Sequence, residues 1–267
     1  MVRGLSLFRD YFEEYRENYV LIGGAACDLW MDSQGLTFRA TKDLDIVLIV
    51  EALSGAFIEK FWDFVREGGY STHQKSTGEN TYYRFKKPEN EDYPSMLELF
   101  SRKIDDFPLF EGSHLTPVPA EDGISSLSAI LMNDEYYHLI ISERREINSV
   151  PCVSPLGLIC LKAKAYLELN GLKAAGERID RGSIKKHKND VFRIAFTLSE
   201  DDRIVVQSSI GDDMNEFIDK MASDPPDVRA LSESMGVPQI DRDTLISVIR
   251  GSIVIGESPQ HPAAPLS

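Results

Sequence analysis

Two stretches of the sequence, residues 21–30 (LIGGAACDLW) and 38–48 (FRATKDLDIVL), decide the predicted fold. In the first stretch, an apolar strand ends at Gly23-Gly24 and a helix follows directly. In the second, a polar loop leads into a strand over residues 43–50, whose later half is apolar on both faces, as in the centre of a sheet. The order of strand, glycine pair, helix and acidic strand predicts a ligand site beside the glycine turn.

Two aspartates open the second strand. Strand side chains alternate between faces, so Asp43 and Asp45 project together while Leu44 and Ile46 project into the core. Two carboxylates on one face repel each other unless a positive charge lies between them. Divalent cations prefer carboxylate oxygen, and two such ions about 3.5–4 Å apart can clamp the attacking and leaving oxygens of a phosphoryl transfer. The alternative is an exposed strand edge with two solvated acids, and the apolar run that follows favours the metal site.

The glycine pair is the second candidate feature. Gly23 and Gly24 let the backbone turn tightly and approach a ligand closely. Backbone amides at the start of the following helix can then bind an anion such as a triphosphate. An ordinary tight turn explains an isolated glycine pair equally well, so its meaning comes from its position before the acidic strand.

Apolar periodicity predicts the remaining elements. Before Pro155 it indicates both types of element: helices at 5–17, 55–67 and 124–132, strands at 82–86 and 96–101, and a hairpin at 136–142 and 146–153. After Pro155 the apolar spacing is helical. We therefore predict an α/β (α+β) fold, with a mixed sheet flanked by helices in a domain of residues 1–153. A helical domain of residues 154–252 completes the ligand cleft, and a Pro-rich mobile tail covers 253–267.

Taken together, LIGGAACDLW and FRATKDLDIVL resemble the polymerase-beta-like nucleotidyltransferase superfamily, whose hallmark is a Gly-Gly or Gly-Ser turn, a helix and a strand with paired acids. The form GG…R-x-T-x-D-x-D is similar to the AbiEii/AbiGii-type nucleotidyltransferases, the toxin components of bacterial toxin–antitoxin and abortive-infection systems. RGSIKKHKNDVFRI, at residues 181–194, also resembles a stretch common in that group. The resemblance covers residues 19–200 and implies a nucleotidyltransferase fold that binds a nucleoside triphosphate (NTP).

The resemblance implies a third carboxylate on a neighbouring strand. Glu98 is the one acid within the predicted strand at 96–101, and Leu97 and Leu99 occupy its core face. Glu98 would complete the metal site or act as a base on the acceptor hydroxyl. Many members of the superfamily carry Asp at this position, and a solvated strand acid is the alternative reading of Glu98.

Several cationic and polar residues are candidates for binding the triphosphate. Arg39 and Thr41 alternate in phase with Asp43, so they would neutralise and hydrogen-bond phosphate. The resemblance implies a lysine on the helix after Pro155, for which Lys162 is the first choice and Lys164 the second.

A basic cluster later in the chain supplies further candidates. Lys186, Asp190 and Arg193 share one face of the predicted helix, opposite its apolar stripe. We predict that Lys186 and Asp190 lie at the cleft, near the triphosphate or the acceptor. The alternative is a salt-bridged surface face.

Composition excludes several classes of function. The 267 residues include 29 Lys and Arg against 43 Asp and Glu, a net charge of −14, which does not favour a duplex DNA-binding surface. The three cysteines have no metal-type spacing and indicate reduced thiols. No segment has the length and apolar character of a membrane span or signal peptide. We therefore expect a cytoplasmic protein without a membrane partner.

The leading hypothesis is a metal-dependent transferase that moves a nucleoside monophosphate from NTP to an acceptor hydroxyl. Two Mg²⁺ ions, for which Mn²⁺ can substitute, would be held by Asp43, Asp45 and Glu98. The resemblance implies a toxin that acts on tRNA and has a cognate antitoxin protein as a partner. The alternatives are a nucleotidyltransferase for a small aminoglycoside-like acceptor, which the acidic surface suits, and a non-catalytic nucleotide-binding partner protein.

Overall fold

The structure, a computed structural model, describes residues 2–52, 54–77, 80–100, 116–117 and 133–256. Its helices are α1 (Leu5–Tyr11), α2 (Gly23–Ser33), α3 (Gly55–Glu67), α4 (Asp134–Ser142), α5 (Pro155–Ala174), α6 (Arg181–Ala195), α7 (Ser208–Ser223), α8 (Val228–Met235) and α9 (Arg242–Ser252), with 3₁₀ turns at Glu13–Asn18 and Val50–Ala52. Its strands are β1 (Tyr19–Ile22), β2 (Asp43–Leu48), β3 (Ser71–Thr77), β4 (Asn80–Lys86), β5 (Met96–Phe100), β6 (Thr116–Pro117), β7 (Arg144–Ile147), β8 (Val150–Val153), β9 (Ile204–Val206) and β10 (Ile253–Ile255).

Eight of the described strands form one mixed sheet, in the order β6-β3-β4-β5-β2-β1-β8-β7. At its centre β2 pairs antiparallel with β1 and parallel with β5. These three strands are almost entirely buried, which is why their sequences are nearly continuous apolar runs. The predicted α/β class, a mixed sheet flanked by helices and followed by a helical region, is confirmed.

Helix α3 covers one face of the sheet. Its N-terminus is capped by Ser54, whose side chain accepts a hydrogen bond from the Phe57 amide, and its aromatic side chains face inward. The Phe61 ring lies 5.9 Å from the Phe85 ring, and Phe85 is paired with Leu97 across β4 and β5. Since alternate residues face opposite ways, α3 lies against the face of the sheet opposite to Asp45 and leaves the acidic face to the C-terminal helices.

The long helix α5 joins the sheet to the helical region. Ser154 accepts a hydrogen bond from the Gly157 amide and Pro155 occupies the first turn, a strong helix start. Most of α5 is buried, because α2 packs on one part of it and α6 and α7 on others. Within the described residues no helix combines the length and apolar character needed to span a bilayer.

The predicted hairpin is wrong in both halves. Residues 136–142 were expected to form its first strand, but they belong to helix α4. Residues 146–153 were expected to form its second strand, but they are divided between β7 and β8, which pair with each other. The Asn133 side chain accepts a hydrogen bond from the Glu135 amide at 2.8 Å, and Asp134 and Glu135 in the first turn favour a helix N-terminus. The apolar run YYHLII is locally compatible with a strand or a helix, so the packing of Tyr136 against the helical region decides between the two.

Other differences are smaller. The helix expected at 5–17 ends at Tyr11 and continues as a 3₁₀ turn, whereas the polar strand β3 and the short strands β9 and β10 were not predicted. The tail expected from residue 253 begins with β10, which pairs with β9. The helix expected at 124–132 lies outside the described residues. Strands whose sequences are short or polar lack the alternation on which sequence interpretation depends.

A half-buried charged cluster joins α4, α5 and α7. The Lys164 ammonium lies 3.1 Å from Asp213 and 4.0 Å from Glu168, and the Tyr136 hydroxyl donates to Asp213 at 2.8 Å. Burial raises the pKa of Glu168 to about 7, with Lys164 offsetting part of the effect and Asp213 adding to it. Within the described part of the chain, the buried Oε2 of Glu168 has no hydrogen-bond partner. This carboxylate is therefore more costly to ionise in the folded protein than in the unfolded chain.

We expect Glu168→Gln to stabilise the protein above pH 7. The folded state holds the Glu168 proton up to about pH 7, whereas the unfolded chain releases it near pH 4.5, so wild-type stability falls between those values. The advantage of Glu168→Gln in urea unfolding should grow to about 2 kcal/mol by pH 8 and shrink towards pH 5. Glu216→Gln, which removes an exposed carboxylate beside Lys220, is the control. Equal pH profiles for the two variants would contradict the prediction.

Candidate active site

Two carboxylates lie side by side in the middle of the sheet. Asp45 on β2 is paired directly with Glu98 on β5, and the two side chains hydrogen-bond to each other. Both are nearly inaccessible, with 9% and 7% of their surfaces exposed. Burial raises the pKa of Asp45 well above its usual range, and the Glu98 carboxylate beside it adds to the effect. Two adjacent buried acids require a proton or a cation between them.

Asp43 stands two residues before Asp45 on the same strand face. It is paired with Met96 across β5 and is partly exposed, so it lies at the outer rim of the acidic pair. Its charge contributes to raising the pKa of Asp45. The three acids named from the sequence thus lie on one face at the start of β2 and β5.

The glycine turn lies against Asp45. Gly23 has a φ of +67°, and a Cβ added there would lie 1.8 Å from the Asp45 Oδ2 atom. The register explains the contact, because Ile22, the last residue of β1, is paired with Asp45. A Cβ on Gly24 would lie 2.5 Å from Thr41 Oγ1 and 3.5 Å from an Arg39 guanidinium nitrogen. Both glycines are therefore required by close approach of the side chains on the acidic strand and its leading loop.

Asp190 on α6 collects three cationic side chains. Arg39 donates to both of its carboxylate oxygens, at 2.8 and 2.6 Å, in a bidentate pair. Lys162 on α5 lies 3.4 Å from Asp190 and Arg193 lies 3.1 Å from it. Asp190 is fully buried, which acts to raise its pKa, yet Lys162 and the two arginines hold the pKa below its usual range. We call these four residues the Asp190 cluster.

The Asp190 cluster and the acidic pair belong to one electrostatic environment. The charge of Lys162 lowers the pKa of Asp45 even as it contacts Asp190, so this buried ammonium acts on both acids. The alternative reading placed Asp190 on a salt-bridged surface of the helix. That reading is wrong, because Asp190 is fully buried. Arg39, expected to be available for phosphate, is held by Asp190.

The structure places two further candidate lysines, Lys186 and Lys164, in different environments. Much of the Lys186 surface is exposed, but the burial of the remainder lowers its pKa, and the charges of Arg39 and Lys162 lower it further. Lys186 therefore lies beside the Asp190 cluster. Within the described residues it forms no ion pair. Lys164, the second choice after Lys162, contacts Asp213 and Tyr136 instead and lies outside this environment.

Cys27 and His187 also lie near the charged residues, and sequence analysis did not assign them to the site. Burial raises the pKa of Cys27 to about 12, so its thiol is unreactive. Burial, together with the charge of Lys162, lowers the pKa of His187 to about 3, so its imidazole is neutral. Cys27 follows Gly23 by one helical turn, and this spacing could have indicated that it lies near the site.

The donor set fits a hard divalent cation. Among the described residues no three His, Cys, Asp or Glu side chains are already grouped as metal ligands. Asp45 and Glu98 nevertheless provide adjacent carboxylate oxygens, the ligands that Mg²⁺ prefers, and Asp43 provides more at the rim. Like charges buried side by side are the chemical reason that these residues suit a cation.

Comparison with known proteins finds no matching protein-family profile and no similar curated protein. Among solved structures, the chain is similar to an antigenic nucleotidyltransferase-like protein from Paracoccidioides brasiliensis, with 15% identity, a TM-score of 0.41, and coverage of 86% of this chain and 91% of that one. It is also similar to the Megavirus polyadenylate synthase (14%, TM-score 0.38, 82% and 36%) and to JHP933 from Helicobacter pylori (12%, TM-score 0.34, 92% and 89%). Similarities of this size do not establish a family or an activity.

We expect Gly23→Ala to destabilise the protein and displace Asp45. The substitution adds the cost of a left-handed φ, about 1–2 kcal/mol, to a clash with the Asp45 carboxylate. Gly35→Ala is the matched control, because Gly35 has a φ of +70° and nothing within 4 Å of an added Cβ. In urea unfolding, Gly23→Ala should lose clearly more stability than Gly35→Ala. Equal losses would show that Asp45 does not lie against the turn.

We expect Asp190→Asn to cost about 3–5 kcal/mol at pH 7, because Arg39, Lys162 and Arg193 lose their common counter-charge in a buried place. The folded-state pKa of Asp190 is depressed, so its stabilisation is present above about pH 4 and is lost as the pH falls through that depressed value. The difference from wild type in urea unfolding should therefore shrink at strongly acidic pH. Asp63→Asn, in the exposed pair with Arg66, should change stability by less than about 1 kcal/mol.

Proposed function

We propose that this protein is a metal-dependent nucleotidyltransferase, which transfers a nucleoside monophosphate from NTP to an acceptor hydroxyl and releases pyrophosphate. One observation carries the proposal: the Asp45 carboxylate, paired with Glu98, lies against the Gly23 turn at the start of a helix. This arrangement combines a place for cations with a place for phosphate. A buried acidic pair alone would not distinguish this function from a structural role.

The triphosphate would bind at the glycine turn. Gly23 and Gly24 begin α2, and no side chain caps its N-terminus, so the first amides of the helix would be the donors to phosphate oxygens. Arg39 and Thr41 lie against Gly24 and would add positive charge and a hydroxyl donor. Lys186, exposed beside the Asp190 cluster, would contact the outer phosphates.

The acids would hold the metal. Asp43, Asp45 and Glu98 would bind Mg²⁺, with Mn²⁺ as a substitute, and the ions would supply the positive charge that offsets charge on the reacting phosphate and the leaving pyrophosphate. Lys162 partly neutralises the acidic pair before a cation binds. Asp190 holds Lys162 and Arg39 in place and thus acts as a positioning residue.

The acceptor we propose is the 3′-terminal hydroxyl of a tRNA, in a cytoplasmic toxin that is neutralised by an antitoxin protein. The resemblance of residues 19–200 to AbiEii-type toxins supports this acceptor. Clustered cations on the helical region, such as Lys185 and Lys186, suit a short RNA contact better than the net charge of −14 suits a long one. The same acidity favours a cationic amino sugar as the second candidate acceptor.

Label transfer tests the proposal. Purified protein is incubated with Mg²⁺ or Mn²⁺, each α-labelled NTP and either total tRNA or an aminoglycoside panel. We expect label on tRNA from the wild type and a loss of at least about 100-fold in Asp45→Asn, because Asn removes the charge that holds the cation but keeps the shape. EDTA should abolish transfer in the same way.

Asp219→Asn, which removes an exposed carboxylate from α7, is the control and should retain wild-type transfer. If only an aminoglycoside is labelled, the acceptor proposed here is wrong, but the proposed nucleotidyl transfer is correct. The proposal fails if Asp45→Asn transfers label as the wild type does, or if the wild type binds NTP with no transfer to any acceptor. The last result would support a non-catalytic nucleotide-binding protein.

A further inference from the structure

A basic cavity lies between the end of α5, the first half of α6 and the connection from α7 to α8. Its volume is about 460 Å³, within the usual range for small-molecule sites. The cationic residues that line it are Lys173, Arg181, Lys185 and Lys188. Lys185 was named above for the proposed RNA contact, but none of these four residues was assigned to the NTP or to the metal ions.

The two acids in the cavity wall are occupied by the protein itself. Asp224 accepts the Lys188 ammonium at 2.6 Å and the Tyr166 hydroxyl at 2.9 Å, so it neutralises Lys188. Asp227 caps α8 by accepting the Ala230 amide at 3.0 Å. Both carboxylates are therefore bound by groups of the protein itself and form no ion pair with Lys173, Arg181 or Lys185.

Three cations are left to face the cavity. Within the residues that the structure describes, Lys173, Arg181 and Lys185 form no ion pair. These three residues line one concavity in a chain whose net charge is −14. Converging like charges are unfavourable unless an anion joins them.

The Asn189 side chain adds a second, independent observation. Asn189 belongs to the cavity lining, and its buried Oδ1 atom has no hydrogen-bond partner among the described residues. The nitrogen of the same amide carries two N–H groups, which are suitable donors to a phosphate oxygen. Buried polar groups without a protein partner are rare, and a bound molecule is one reason for them.

The cavity and the candidate active site lie on different sides of α6. Asp190 contacts Arg39 on one side of the helix, and Lys186 lies beside this cluster. The residues of α6 that line the cavity include Lys185, Lys188 and Asn189. Successive residues of a helix are separated by about 100°, so adjacent positions serve two separate sites. An anion in the cavity therefore does not compete with the triphosphate for the same side chains.

We propose that this cavity is a second anion site, which binds a phosphate group through Lys173, Arg181, Lys185 and Asn189. Lysine and arginine are the usual phosphate partners, and the amide would donate to a further phosphate oxygen. The volume suits a ligand of about mononucleotide size or a nucleotide segment of a longer strand. The phosphate can come from a small phosphorylated molecule or from a nucleic-acid backbone, which share this chemistry.

Equilibrium binding tests the proposal. The background is Asp43→Asn/Asp45→Asn in EDTA, which removes metal-dependent binding at the candidate active site. The probes are pyrophosphate and AMP by calorimetry and a fluorescein-labelled single-stranded RNA 12-mer by anisotropy. We expect Lys173→Ala/Arg181→Ala/Lys185→Ala to weaken binding of at least one probe by about 100-fold, because each charged hydrogen bond contributes substantially. Asn189→Ala should weaken the same probe about fivefold without changing net charge.

The control is Lys220→Ala/Arg229→Ala/Arg242→Ala, which removes the same charge from α7, α8 and α9. It should bind within twofold of the background. If only pyrophosphate or AMP binds, the ligand is a phosphorylated small molecule. If only the RNA binds, the ligand is a nucleic-acid strand. The proposal is overturned if no probe binds, or if the control weakens binding as much as the cavity variant. Because the cavity variant removes exposed or half-buried side chains without ion pairs, circular dichroism should show it folded.

Discussion

Parallel pairing of β2 with β5 brings Asp45 and Glu98 together in the interior, and the candidate site is arranged around that buried charge. Burying one carboxylate is costly, and burying two together is more so unless a proton or cation is present. The protein places Lys162 within electrostatic reach and a glycine turn directly against Asp45. Apolar residues at these two positions would avoid that cost, and the proposed function assigns both acids to a cation for this reason.

The Asp190 cluster connects this charge to the helical region. Arg39 belongs to the loop before β2, Lys162 to α5, and Asp190 to α6, so one carboxylate joins three segments that are distant in the sequence. A buried ion pair adds little net stability relative to apolar packing, but breaking it leaves uncompensated charges. The cluster therefore specifies how the helical region sits on the acidic face of the sheet, and it fixes the cations that border the glycine turn.

Charge is distributed unevenly over the protein. The net charge is −14, yet cations concentrate on both sides of α6. At physiological ionic strength, exposed charges act over about 8 Å, so local cations decide which anions bind even when the whole molecule is acidic. Helix α6 carries Lys186 towards the candidate active site and Lys185 towards the basic cavity, and it thus contributes to both of the proposed phosphate sites.

Local patterns in the sequence determined the elements at the centre of the protein. Alternation along a strand predicted that Asp43 and Asp45 share a face, and the glycine pair predicted the turn. The family resemblance implied a third acid, and Glu98 was chosen because it is the one acid within its apolar strand. These signals depend on neighbouring residues and remain legible without the fold. The run at 136–142 was misjudged because its apolar side chains suit a strand or a helix equally, and only packing on the helical region distinguishes them.

Tertiary structure decided the partners of the charged groups. Arg39 and Asp190 are 151 residues apart in the chain, and no local spacing predicts their bidentate contact. The same holds for the burial of Lys162 and for the cavity formed by α5, α6 and the α7–α8 connection. Long-range contacts depend on how helices pack onto the sheet, and packing is set by the shape of the whole core. Sequence periodicity tells which face of an element is buried, but it does not tell which other element covers that face.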